Sequence, residues 1–104
     1  ANLAVTGTLG GIVAAWDLSS QIVRTSIKVG EGVTCLAMAE DQIVYAGTLD
    51  GAIRSVDMRT GTPVAEFGGH KGSVLDMKLD MEKRMLLTAG DDGTARIYDI
   101  RGPS

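Results

Sequence analysis

Histidine is the side chain whose ordinary pKa lies nearest neutrality, and this chain has one, His70. To act as a general base, His70 would need a nucleophile or an acid within hydrogen-bonding reach. No Ser/His/Asp or Cys/His arrangement stands out in the sequence, so we predict no catalytic site. The lone thiol, Cys35, alternates with apolar neighbours and is predicted to be a buried small hydrophobe.

Two glycine-containing stretches have the composition of ligand-binding loops without their spacing. Residues 91–93 (DDG) place carboxylates beside a turn, but the spaced acids and distant Glu of a calcium loop are absent. Residues 7–11 (GTLGG) lack the spacing of a phosphate loop and lead into a strand rather than a helix. Both stretches are predicted to be structural turns, so no metal and no cofactor is expected.

The charge balance argues against two kinds of partner. The chain has 10 basic and 13 acidic residues and a net charge of −3. Surfaces for nucleic acid or anionic lipid rely on clustered Lys and Arg, so neither partner is expected. No apolar run approaches the roughly 20 residues of a membrane helix, and no N-terminal stretch resembles a signal peptide. An intracellular protein of the cytoplasm or nucleus is therefore predicted.

One glycine and one aspartate recur at nearly constant spacing along the chain. The glycine stands at positions 11, 51 and 93 and the aspartate at positions 17, 57 and 99, so both advance by 40 residues and then by 42. Between them the three copies read GIVAAWD, GAIRSVD and GTARIYD, each of the same length. Two markers that keep register through three copies indicate a structural repeat. The 14 glycines of the chain, which fall between short β-branched segments, indicate strands joined by tight turns.

A nearly complete copy of the repeat runs from Gly68 to Arg101. Its order, from Gly-His to a closing Tyr-Asp pair, resembles the WD-repeat family, whose unit of about 40–45 residues folds as a four-stranded β-propeller blade. The resemblance implies that four side chains form the structural hydrogen-bond network of the blade. They are His70, Thr88, Asp92 and Tyr98, the last standing where the family usually has Trp.

The other two copies depart from the family pattern at polar positions. The middle copy has no His near Val29 and has Val56 at the aromatic position, while the first copy has Gly10 in place of the turn acid. We expect the blade fold in both copies, without the full polar network.

Strand patterns along the chain number three, then four, then three. The predicted fold is all-β, with ten antiparallel strands in about two and a half WD-repeat propeller blades and an incomplete ring. Residues 1–29 would be a partial blade of three outer strands, 30–68 a complete blade, and 69–104 a partial blade of three inner strands. Because blades bury their faces only against neighbours, we expect either a segment of a longer protein or a unit that associates with further copies.

Two of the three copies end in Asp-x-Arg, as Asp57 with Arg59 and as Asp99 with Arg101. Residues 86–101 resemble the box found in WD-repeat substrate receptors of cullin–RING ubiquitin ligases. That resemblance implies contact between these four residues and an adaptor protein. A solvated turn is the alternative explanation for both pairs.

Arg54 and Arg96 also stand at equivalent positions in their copies. Two explanations are open for them. They line a ligand-facing rim, or they form ion pairs between neighbouring blades.

The leading functional hypothesis is a noncatalytic protein–protein interaction scaffold, because rigid strands that hold variable loops suit recognition. The partners would be other proteins. One alternative is a substrate receptor of a cullin–RING ubiquitin ligase. Another is a fragment or engineered segment that assembles with copies of itself into a multi-chain propeller.

Overall fold

The computed structural model describes residues 3–101, apart from the side chain of residue 41. The outer bounds of the predicted first and last units, residues 1 and 104, lie outside the described residues. Within this range no helix has the length and apolar character needed to cross a membrane. The described chain forms one short 3-10 helix, Glu40–Gln42, and ten strands. The strands are β1 (Leu3–Gly7), β2 (Ile12–Asp17), β3 (Ile22–Lys28), β4 (Val33–Met38), β5 (Ile43–Thr48), β6 (Ile53–Asp57), β7 (Thr62–Phe67), β8 (Val74–Asp80), β9 (Met85–Gly90) and β10 (Ala95–Asp99).

The strands form three antiparallel sheets in which consecutive strands are neighbours. The first sheet has the order β1-β2-β3, the second β4-β5-β6-β7 and the third β8-β9-β10. The predicted all-β fold with ten antiparallel strands is confirmed, and the described sheets do not close a ring. The division of the chain into units at residues 29/30 and 68/69 stays a prediction.

Each sheet contains the same glycine turn between two of its strands. Gly11, Gly51 and Gly93 have φ values of 85°, 90° and 80°, which L side chains rarely adopt. In each turn the glycine N–H donates to the carbonyl oxygen three residues earlier, at 3.0, 3.2 and 3.1 Å respectively. We call the edge of the sheets that carries these turns the glycine end. The opposite edge, which carries Asp17, Asp57 and Asp99, is called the aspartate end.

The central strands of the second sheet, β5 and β6, are buried on both faces, whereas its outer strand β7 is mostly exposed. Val44 is fully buried against the first sheet, and its neighbour Tyr45 is buried against the third. Successive side chains of a strand point to opposite faces, so this alternation produces two separate cores. The first core contains Val13, Ala15, Val29, Val33, Val44, Ala46, Val56 and Met58. The second contains Tyr45, Ile53, Val74 and Leu86, with Phe67 and Tyr98 packed at its edge.

The third sheet has one packed face and one open face. Leu86 is fully buried against the second sheet, whereas its neighbour Leu87 points the other way and is 41% exposed. Leu75 and Ile97 are 57% and 67% exposed. The described residues therefore leave large apolar side chains of the third sheet open to solvent.

Candidate interaction surface and the network behind it

His70 lies at the glycine end, in the loop between β7 and β8, and is buried. Its Nε2 is hydrogen-bonded to the Thr88 hydroxyl at 2.7 Å, and its Nδ1 lies 3.2 Å from both Asp92 Oδ1 and the Thr94 hydroxyl. Both ring nitrogens are therefore occupied. With neither nitrogen free to accept a proton from a substrate, this geometry suits a structural link rather than acid–base chemistry.

Asp92 joins this loop to the glycine turn of the third sheet. Its Oδ2 accepts the Lys71 N–H at 2.9 Å, and its Oδ1 accepts the Thr94 hydroxyl at 2.7 Å. These hydrogen bonds stabilise the carboxylate and hold the pKa of Asp92 well below its ordinary value, with the Lys71 N–H as the largest cause. Asp92 is therefore expected to stay ionised in mildly acidic solution, where an ordinary aspartate begins to take up a proton.

Tyr98 stands apart from the other three residues of the predicted network. Its hydroxyl donates to the Gly68 carbonyl at 3.2 Å, and its ring packs against Phe67 with centroids 5.5 Å apart. The structure thus brings His70, Thr88 and Asp92 together and gives Tyr98 a separate contact with the end of the same loop.

Two further residues of this network were missed by the sequence analysis. Thr94 contacts both His70 and Asp92 through its hydroxyl. Gly90 leaves room for the imidazole, because a Cβ on Gly90 would lie 2.7 Å from His70 Cγ. The available signal was the absence of a side chain at position 90, where both other copies have Thr.

The second sheet fills the same region with a different set of side chains. Val29 stands where the third sheet has His70 and is buried in the first core. Thr48 stands where the third sheet has Gly90, and its hydroxyl donates to the Ala52 carbonyl at 2.8 Å and to Asp50. The Thr48 hydroxyl is the largest cause of a lowered pKa at Asp50. Apolar packing and one hydroxyl thus occupy the place of the imidazole network.

The aspartate end carries the two predicted Asp-Arg pairs, and each pair lies within a single turn. Arg59 Nη2 is 3.0 Å from Asp57 Oδ2, and Arg101 Nη2 is 2.7 Å from Asp99 Oδ2. Each aspartate also accepts the backbone N–H of its arginine, at 2.9 and 3.0 Å. The side chains of Arg59 and Arg101 are 54% and 71% exposed.

The Asp99–Arg101 pair predicts a specific acid titration. Hydrogen bonds from the Arg101 guanidinium lower the pKa of Asp99 to about 2. A carboxyl whose pKa is lower in the folded state adds stability above its unfolded pKa of about 3.9 and loses it as the pH falls towards 2. In a ¹³C NMR titration, we expect Asp99 to titrate near pH 2 and to move towards 3.9 in Arg101→Ala. Arg59→Ala is the matched control and should leave Asp99 unchanged; a wild-type midpoint near 3.9 would contradict the prediction.

Arg54 has partners in its own sheet, whereas Arg96 Nε is buried without a hydrogen-bond partner among the described residues. Arg54 Nε lies 3.2 Å from Glu66 Oε1, and its Nη2 lies 3.7 Å from Asp50 Oδ2. Both acids belong to the second sheet, so the alternative of an ion pair between blades is wrong for Arg54.

Cys35 is half-buried beside the second core rather than fully buried, and desolvation raises the pKa of its thiol. Within residues 3–101 no group of three or more His, Cys, Asp or Glu side chains is placed to hold a metal ion.

Three antiparallel sheets in series, packed face to face and each carrying the same glycine turn, define a run of β-propeller blades. The family model described as "WD domain, G-beta repeat" matches residues 61–99. The chain belongs to the WD-repeat family, as its repeat predicted.

Three known proteins show the extent of this similarity. The angio-associated migratory cell protein of Canis lupus familiaris is 32% identical over 102 residues, which are 97% of this chain and 23% of that protein. The target of rapamycin complex subunit LST8 of Saccharomyces cerevisiae is 29% identical over 92 residues, which are 86% of this chain and 30% of that protein. The crystal structure of the computationally designed Ika4 protein has a TM-score of 0.86 and 26% identity, and the match covers 96% of this chain and 61% of that chain. The chain thus spans between 23% and 30% of the length of these two natural relatives.

Proposed function

We propose that the chain is part of a noncatalytic protein–protein interaction scaffold and that its glycine end is the binding surface. The observation that carries this proposal is a pair of leucines, Leu9 and Leu49, at the same turn position in two sheets. They are 79% and 46% exposed. The third sheet makes the same turn with Asp91 at this position, so the turn itself does not require an apolar side chain. Exposed leucines on rigid turns suit insertion into a partner.

The relatives support a role in an assembly with other proteins. One of them is, by its name, a subunit of a complex. The net charge of −3 supports protein partners over nucleic acid or an anionic membrane. We propose that the protein acts inside the cell, in the cytoplasm or the nucleus.

A binding experiment tests the proposed surface. The tagged protein is purified from cells, the captured protein is identified and produced separately, and the affinity is measured by isothermal titration calorimetry. Leu9→Asp combined with Leu49→Asp is expected to weaken binding by at least about tenfold, because both changes place a charge in the apolar contact. Leu18→Asp is the matched control, since Leu18 is 53% exposed at the aspartate end. Loss of binding in the control but not in the double variant would contradict a role for the glycine end.

The ligase receptor is the second candidate, because two equivalent turns at the aspartate end expose a guanidinium group in the same way. If the protein is a ligase receptor, Arg59→Ala and Arg101→Ala should abolish binding of a purified adaptor protein while the variants remain folded. Under the scaffold proposal these two changes leave binding intact, so the same set of variants separates the two functions. Light scattering on the same sample identifies the self-assembly alternative as a discrete multiple of 10.9 kDa.

A further inference from the structure

A cleft of about 490 Å³ separates the outer strands β3 and β7 at the rim between the first and second sheets. Its apolar lining includes Ile27, Val29, Val56 and Val64. Val64 is 57% exposed, so the apolar wall is open to solvent from the outer side. This volume lies in the range of about 300–1,000 Å³ that binding pockets commonly have. We call it the rim cleft.

A second cleft, of about 570 Å³, lies next to the rim cleft at the glycine end. Three glycines, Gly10, Gly30 and Gly32, form part of its lining, and Leu9 lies at its edge. Lys28 and Arg54 line both clefts. The two clefts therefore adjoin at these side chains, and together we call them the groove, which reaches from the proposed binding surface to the rim. Both walls belong to the first and second sheets, which pack directly on each other.

The charged side chains along this groove are not equivalent. Arg54 is neutralised within its own sheet by Glu66 at 3.2 Å and Asp50 at 3.7 Å. Lys28 is exposed at the end of β3 and makes no ion pair with any residue between 3 and 101. In the rim cleft, Lys28 is thus the one charge of the lining that has no counter-charge among the described residues. Glu31 and Asp50 line the second cleft, whereas the one acid of the rim cleft, Glu66, is paired with Arg54, so an anionic group is opposed less on the rim side of Lys28 than on the other.

We infer that this groove binds an extended segment of a partner protein, which places an aliphatic side chain in the rim cleft and a carboxylate against Lys28. The inference rests on the proposed scaffold function and names the chemistry of the partner. The elongated, open shape suits a peptide, whose alternate side chains reach successive parts of the groove. The groove has three acids, Glu31, Asp50 and Glu66, against two bases, which disfavours a nucleic acid strand because its successive phosphates need clustered basic side chains. A single carboxylate matches the single unpaired ammonium.

The test uses two synthetic probes of equal shape, acetyl-Gly-Leu-Asp-Leu-Gly-amide and its Asn analogue. Binding to the ¹⁵N-labelled protein is followed by changes in amide chemical shifts. The Asp probe should shift amides in β3, β7 and the loop at Gly30, and the Asn probe should bind about threefold to fivefold more weakly. Absence of any shift at millimolar Asp probe overturns the inference.

Variants of the protein locate the contact. Lys28→Glu is expected to lower the affinity for the Asp probe by about tenfold, because the carboxylate of the probe is then repelled instead of attracted at this position. Lys83→Glu is the matched control, since Lys83 is an exposed lysine at the aspartate end of the third sheet, and it should bind as the wild type does. Val64→Asp should also weaken binding, through the apolar wall. Circular dichroism checks that each variant is folded, and equal affinity of Lys28→Glu and wild type overturns the inference.

Failure of this inference and failure of the scaffold proposal give different results. If the purified partner still binds through Leu9 and Leu49 but is unaffected by Lys28→Glu, only the groove is excluded. If the Asp probe binds at Lys28 while no natural partner depends on either leucine, the groove stands and the glycine end is excluded as the main surface.

Discussion

Replacing Gly51 by Ala is expected to lower the free energy of unfolding by about 2–5 kcal/mol, as measured by urea unfolding followed by circular dichroism. Gly51 has a φ of 90°, and an L side chain in such a conformation costs about 1–2 kcal/mol. A Cβ at this position would also lie 2.8 Å from the Gly72 carbonyl oxygen and 2.9 Å from His70 C. Those atoms are backbone of the loop that leads into the third sheet, so they cannot rotate away. Overpacking of this kind costs about 1–3 kcal/mol more.

Gly93 is a matched control for this change. It occupies the same turn position in the third sheet and has a φ of 80°, but among residues 3–101 no atom beyond its two chain neighbours lies within 4 Å of the place of its Cβ. Gly93→Ala should therefore lose only the backbone contribution of about 1–2 kcal/mol. Equal losses in the two variants would show that the contact between Gly51 and the loop at His70 does not limit packing between the second and third sheets.

Replacing His70 by Ala is expected to lower the free energy of unfolding by about 2–4 kcal/mol. The change removes the imidazole between Thr88 and Asp92, and it leaves the hydroxyl of Thr88, a residue only 3% exposed, without its ring partner. A buried polar group without a partner costs about 1–3 kcal/mol, and the empty space left by the ring adds to this loss. Urea unfolding of the variant at neutral pH measures the effect.

A second substitution separates the lost hydrogen bond from the lost volume. Thr88→Val in the His70→Ala background removes the unpaired hydroxyl and keeps a similar shape, so part of the stability should return. The same Thr88→Val change in the wild type should be destabilising, because it then leaves a ring nitrogen of His70 unpaired. A His70→Ala variant within about 0.5 kcal/mol of wild type would contradict a structural role for the network.

Repeated glycines and aspartates in the sequence predicted the ten strands because each marks a local backbone conformation. A glycine at positions 11, 51 and 93 permits the positive φ of each turn. An aspartate at positions 17, 57 and 99 accepts the backbone N–H two residues later, at 2.9 to 3.0 Å in all three copies. Such interactions extend over a few residues, and spacing in the sequence is sufficient to find them. The network of His70, Thr88 and Asp92 joins residues 18 to 22 positions apart, and it was expected only because the resemblance to the WD-repeat family implied it.

Contacts between sheets could not be found in this way. Gly51 also makes room for the carbonyl of His70, Arg54 pairs with Glu66 across β6 and β7, and Val29 with Thr48 takes the place of an imidazole. Each of these depends on which atoms a neighbouring strand or sheet brings to the same space.

By itself, the sequence determined the repeat, the strand order, the turns and the paired Asp and Arg residues of the aspartate end, because these depend on residues close together in the chain. Only the tertiary structure decided that Tyr98 bonds to Gly68, that the third sheet leaves Ile97 open, and that Lys28 lies beside a groove without an ion-pair partner among the described residues. The physical reason is that side-chain partners and clefts arise where separate segments pack together. Packing depends on the shapes of the two surfaces that meet, and these shapes cannot be deduced from the spacing of residues along the chain.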